Sequence, residues 1–122
     1  MGVLLVSKMP TIPKKWANQQ IIYKDPTGEK DKYGKQTVTE TIINNCVAQL
    51  ETIYSGTNND RQVVANAVVF LYASVANPFL KFDKNSQGNK IVFEGVEYTI
   101  KRVVDNRDPL SNEVWSYELE VL

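Results

Sequence analysis

The last third of the chain alternates apolar and polar positions as a half-buried strand requires. In "IVFEGVEYTIKRVV" (91–104), Glu94 and Gly95 separate two such runs. A two-residue turn there puts Phe93 opposite Val96 and Ile91 opposite Tyr98, all four on one face, with Gly95 supplying the positive φ of a tight turn. The second run continues through Ile100 and Val104, and a third, after Glu113, carries Trp115, Tyr117, Leu119 and Val121. The two sets have opposite parity, which predicts an antiparallel register with Ile100 opposite Tyr117 and Tyr98 opposite Leu119. Arg102 then faces Trp115, a cation–π pair that serves packing.

Upstream, "VVANAVVFLYA" (63–73) is apolar on every side, so its period does not separate helix from strand; its valines and aromatics favour a buried strand. "QTVTETIINNCVAQLET" (36–52) is rich in β-branched residues and sets Cys46, Ala48 and Leu50 on one face, with a break at Asn44 and Asn45. "QIIYK" (20–24) is a short β-rich run. "DPTGEKDKYGK" (25–35) reads as a loop, long for a hairpin, and "SGTNNDRQ" (55–62) as a polar loop of turn formers. Pro78 closes the apolar run, and "DKNSQGNK" (83–90) is a further turn.

Residues 1–19, with Pro10 and Pro13, hold no sustained period and read as an extended arm whose end Trp16 pins to the body. Strands of about nine residues run to roughly 30 Å, and in a small protein these coil into a closed or layered sheet. The expected fold class is all-β: a small antiparallel β-barrel or sandwich with long loops, one domain over residues 20–122 preceded by the arm.

A length of 122 residues, 43% hydrophobic and 23% charged, suits one soluble domain. Fourteen basic and fourteen acidic residues cancel, which removes the overall positive field that drives sequence-independent binding to nucleic acid. The charge is unevenly spread. Residues 1–35 hold seven lysines against three acids, and the remainder seven basic residues against eleven acidic ones. Such polarity suits contacts with copies of the same chain or with an acidic partner, although most surface charge only meets solvent.

There is no histidine, so the usual general base and the commonest metal ligand are both missing and catalysis is not expected. Cys46 has no basic neighbour in sequence and reads as a small buried side chain rather than a nucleophile. Asp25, Glu29 and Asp31, and likewise Asp105, Asp108 and Glu113, do not follow the spacing of a calcium loop; Asp108 before Pro109 is a turn starter. Gly28, Gly34, Gly56 and Gly88 stand singly among turn residues and form no phosphate loop. No cofactor and no metal are expected.

A lone cysteine and no Asn-x-Ser/Thr site give no sign of an oxidising compartment, and an intracellular origin is expected. The apolar opening "VLLV" (3–6) is too short for a signal peptide or a membrane span, and Val6 spoils a myristoylation signal. Met9 is a second candidate start.

Four stretches, in this order and with similar gaps, resemble the small minor capsid or head-closure proteins of tailed bacteriophages of Gram-positive hosts: "MPTIPKKW" (9–16), "DKYG" (31–34), "VVANAVVFLYASVANP" (63–78) and "IVFEGVEYTIKRVV" (91–104). The resemblance implies a β-barrel structural subunit without enzymatic activity. It implies a homo-oligomeric ring beneath the portal and its adaptor that joins head to tail and helps retain packaged DNA, located in the virion and, during assembly, in the host cytoplasm. Two loops do the work in that family. Carried over by position, they are a subunit-interface loop of Lys30, Asp31, Lys32, Tyr33, Gly34 and Lys35, and a channel or partner loop of Ser55, Gly56, Thr57, Asn58, Asn59, Asp60, Arg61 and Gln62. Partners implied are portal, adaptor and tail proteins, with DNA passing through unread and no membrane. The first eight residues lie outside the likeness.

Two other readings stand beside it. An OB-like barrel would bind single strands through Lys30, Lys32 and Lys35, but Tyr98, Trp115 and Tyr117 fall on the expected core face and leave few rings for stacking. A tail-completion or tail-terminator protein would share the β-rich class.

Overall fold

The computed structural model describes residues 13–30, 32–34, 36–56 and 61–122. Six strands carry the fold: β1 (Gln19–Lys30), β2 (Gln36–Ser55), β3 (Gln62–Tyr72), β4 (Lys90–Phe93), β5 (Val96–Arg107) and β6 (Val114–Val121). All pairings are antiparallel and the sheet closes in the order β1-β2-β3-β6-β5-β4, so of barrel and sandwich it is the barrel. Closure removes free edges wherever the ladder is complete on both sides.

The interior is filled from every strand. Ile21, Ile43, Leu71, Ile91, Ile100 and Leu119 are all essentially inaccessible, and each such burial is worth roughly 1.5–3 kcal/mol. The β3–β4 connection adds Ala76 and Phe82 to this core. Phe82 packs edge-on against Tyr23 at 5.0 Å and Tyr117 at 5.4 Å, where offset quadrupoles attract. An isolated bridge ties the connection down, Asn44 and Asn77 exchanging backbone hydrogen bonds of 2.8 and 3.0 Å.

The alternation over 91–98 is realised in register: Phe93 pairs with Val96 and Ile91 with Tyr98, around a turn in which Glu94 (φ 51°) and Gly95 (φ 78°) both take positive φ. Residues 63–72 do form a strand, with Ala73 in the turn that follows, and Asn45 does interrupt β2's regularity, at φ 60°.

Six expectations are corrected. The β5–β6 register has Ile100 opposite Val121, not Tyr117, and Val103, not Tyr98, opposite Leu119; within it a bulge between Ile100 and Arg102 switches the parity, so that Val103 rather than Val104 packs against the core. Arg102 consequently meets Glu120 at 3.4 Å, and Trp115 packs edge-on against Tyr72 at 5.4 Å. Val96 pairs as expected but is exposed, since it sits at the turn.

Residues 25–30, read as loop, continue β1. They pair with residues 36–39 of β2 despite Pro26, which a strand without an outer neighbour tolerates, and the ladder shifts between Pro26 and Lys30. Leu50 follows Cys46 and Ala48 on one face but is 69% exposed: β1 has already stopped at Gln19, opposite Cys46, although Leu50's own partner Ala67 still pairs with β6. Trp16 pins nothing. It is 65% exposed at the end of a 3-10 turn (Lys14–Trp16), and the buried residue is its neighbour Ala17. The remainder of the expected arm, residues 1–12, lies outside the described residues.

Candidate functional site

With six antiparallel strands, one end of the barrel gathers the start of β1, the β2–β3 connection, the β4–β5 turn and Leu122. The other gathers the β1–β2, β3–β4 and β5–β6 connections. β2, at 20 residues, is longer than the barrel and leaves it at both ends. At about 3.3 Å per residue it reaches roughly 65 Å.

Where β2 leaves at the second end, it pairs only with β1. β4 meets β1 over Ile22–Lys24 alone, and β3 meets β2 only from Val47 onward. Residues 25–30 and 36–40 thus form a free-standing ribbon, whose tip holds Lys32, Tyr33 and Gly34. Gly34 takes φ 81°, a conformation glycine reaches at no steric cost. Tyr33 is 77% exposed with the Lys32 ammonium 5.1 Å from its ring centre. Of the expected interface loop, the structure brings these three to the tip. The backbone of Lys30 closes β1 against Gln36, and Asp31 and Lys35 lie outside the described residues.

The ribbon is anchored by charge. Lys24 Nζ lies 3.1 Å from Glu97 Oε2 and 3.8 Å from Glu40 Oε1. Asn89 Nδ2 donates to the Tyr23 hydroxyl at 2.8 Å and to Asp25 Oδ1 at 3.4 Å. These groups border a cleft of about 320 Å³ with Asp83 and Asn85, but Asp83 is engaged locally, its carboxylate accepting from the Asn85 amide at 2.8 Å. Asp108 likewise starts a turn, accepting from the Leu110 amide at 2.8 Å, and Asp105 holds Arg107 at 2.8 Å. Among the described residues no three metal-ligating side chains converge.

At the first end, the Gln19 side chain takes the place of further β1 backbone, its Oε1 accepting from the Ala48 amide at 2.8 Å. Beyond it β2 pairs, among the described residues, with β3 alone, and residues 53–55 with 62–65 make the second ribbon. Of the expected channel loop, Ser55 and Gln62 pair as its last rung, Gly56 turns at φ 104°, and Arg61 stacks over the Tyr54 ring at 4.2 Å. Thr57, Asn58, Asn59 and Asp60 lie outside the described residues.

This end carries an apolar surface that sequence reasoning missed. Trp16, Leu50, Tyr54, Val63, Val96 and Leu122 are all exposed there. The alternation marked several of them as apolar; nothing in it marked where the barrel stops.

Cys46 is buried between the two ribbons. Its thiol donates to the Gln19 carbonyl at 3.3 Å, and burial pushes its pKa up to about 11, the opposite of what a nucleophile needs.

Comparison with known proteins gives a consistent picture. A family profile described as "Minor capsid protein" matches residues 13–121. An uncharacterized protein, ORF5, of Lactococcus phage LL-H is 39% identical over 99 residues, covering 80% of this chain and 84% of the relative. The uncharacterized protein ORF5 of Lactococcus phage mv4 is 41% identical over 80 residues, covering 65% of this chain and 71% of the relative.

Proposed function

The chain belongs to the minor capsid protein family, with relatives in phages of Gram-positive hosts, and from that premise we propose that it is a head–tail connector subunit. Membership makes it a structural component of the phage particle. The finer reading is a ring of copies beneath the portal and its adaptor, joined to tail proteins on the other side, assembled in the host cytoplasm and helping to retain DNA.

The observation that carries this reading is one strand, β2, bearing a hairpin out of each end of a closed barrel. A subunit in a stack of rings has to be rigid in the middle and adhesive in more than one direction. The barrel supplies the first property, and two ribbons whose outer edges meet no further strand among the described residues supply the second. Head-to-tail contacts between identical subunits close into a ring when the rotation permits. A net charge of zero suits a channel through which DNA slides without being held.

The first ribbon, at 25–40, is the subunit-interface element in this reading, and the tip at 55–62 is the channel or partner element. Deleting residues 26–34 removes backbone that, among the described residues, pairs within its own hairpin alone, so the barrel is expected to fold as before while incorporation into connectors is lost. Circular dichroism and the yield of tailed particles in a complementation assay check the two halves. Unimpaired incorporation by the folded deletion variant would refute the assignment.

A further inference from the structure

Past Ala67, β3 loses its partner on one side. β6 pairs with β3 over Ala67–Tyr72 only, so residues 62–66 keep their ladder to β2 and, among the described residues, have none on the opposite edge. Beside that edge lies a groove of about 590 Å³, lined by the apolar Ile53, Tyr54, Val63 and Leu122, by the cations Lys101 and Arg102, and by one carboxylate, Glu120, which Arg102 meets. The groove lies where a further strand would continue β6.

Three properties define what fits. Unpaired backbone N–H and C=O groups on β3 call for an extended chain, because only an extended chain presents matching groups at the spacing of a ladder. The apolar lining calls for apolar side chains at every second position, the period of a strand. The charges around it call for acid. Lys101 is exposed with no carboxylate partner among the described residues, Arg102 meets only Glu120 and has a side chain 66% exposed, and Arg61 stacks on Tyr54 at the same place. This excess of cations runs against residues 36–122 as a whole, where eleven acids outnumber seven basic residues.

We infer that the groove receives an extended segment of another protein, in which acidic and apolar residues alternate, added to β3 as an extra strand. The chain's own residues 1–12 offer the apolar run Val3–Val6, but their one charged side chain is Lys8, the wrong sign for this surface. The proposal stands on the groove alone; the connector reading is tested at the opposite end of the barrel by deleting residues 26–34, so the two can fail separately.

The test titrates the full-length protein with two synthetic heptapeptides, one alternating Glu and Val and the other alternating Lys and Val, followed by amide chemical shifts. The acidic peptide is expected to bind at least about tenfold more tightly than the basic one, to weaken with salt, and to shift the amides of residues 62–66. Lys101→Glu, and separately Lys101→Glu with Arg102→Gln, should erase or invert that preference with the spectrum otherwise intact. Inversion is an outcome that misfolding does not produce. Equal binding of both peptides, no binding of either at millimolar concentration, or shifts centred elsewhere would overturn the inference. So would acidic-peptide binding seen only after removal of residues 1–12, which would make those residues the occupant.

Discussion

The two ribbons share a strand and little else. The first ends in Lys32 and Tyr33 and is anchored at its base by Lys24 between Glu40 and Glu97; the second carries Tyr54 and Val63 into solvent, with Leu50 at its base. A two-stranded ribbon is marginal by itself, so neither persists through its own ladder. Both persist because β2 is held in the barrel between them. The difference lies in what accompanies their exposed apolar residues: Tyr33 and Val38 on the first ribbon stand above the charges of Lys24, Glu40 and Glu97, whereas Leu50, Tyr54 and Val63 at the second have further apolar residues, Val96 and Leu122, at the same end. A single exposed leucine is ordinary, but several large apolar residues exposed at one end of a barrel are a common mark of an interaction site.

The comparison can be broken most severely at its shared root. Ile43→Ala, at the buried centre of β2, should cost about 2–5 kcal/mol in urea unfolding and raise hydrogen exchange in both ribbons together. If only one ribbon loosened, they would not depend on a common anchor.

A second test uses the thiol between them. Cys46 titrates near 9.0 when free and near 11 when folded, so the folded state holds its proton more tightly. The corresponding stability is fully present below pH 9 and drains away as pH rises through 11. Cys46→Ala should flatten that alkaline decline in a pH series of unfolding midpoints, apart from the cavity cost seen at neutral pH.

The remaining two changes separate the ribbons. Lys24→Ala should cost about 0.2–1 kcal/mol at low salt and less at high salt, with faster exchange in the first ribbon alone. Leu50→Ser should move stability by under about 0.5 kcal/mol, yet weaken any contact made through the first end. A large destabilisation by Leu50→Ser would mean that its side chain is part of the core after all.

Sequence pattern revealed the middle of this molecule better than its margins. The β4–β5 hairpin was legible to the residue because Glu94-Gly95 fixes the turn and Ile91, Phe93 and Tyr98 alternate without interruption. The next pairing was not, since Val103 and Val104 are both apolar and only the bulge after Ile100 decides which of them turns inward. Residues 25–30 carry Asp, Pro and Gly, the ordinary vocabulary of loops. They lie in a strand because β2 templates them outside the barrel, where no face has to be apolar. Gly34 and Gly56, read as turn residues, both take positive φ. The apolar end was not legible, because Leu50 and Trp16 look in sequence like any residues destined for the interior. What exposes them is the length of their neighbours, β1 stopping at Gln19 and β6 at Val121.

From Gln36 to Ser55 the backbone runs unbroken between the two projecting tips. A pull on one tip is therefore delivered to the other through covalent bonds, and the ladders flanking β2 feel it as shear, many hydrogen bonds resisting at once instead of parting one after another. The middle of this protein is built like a rivet, with its shank clamped along its length and a head at each side.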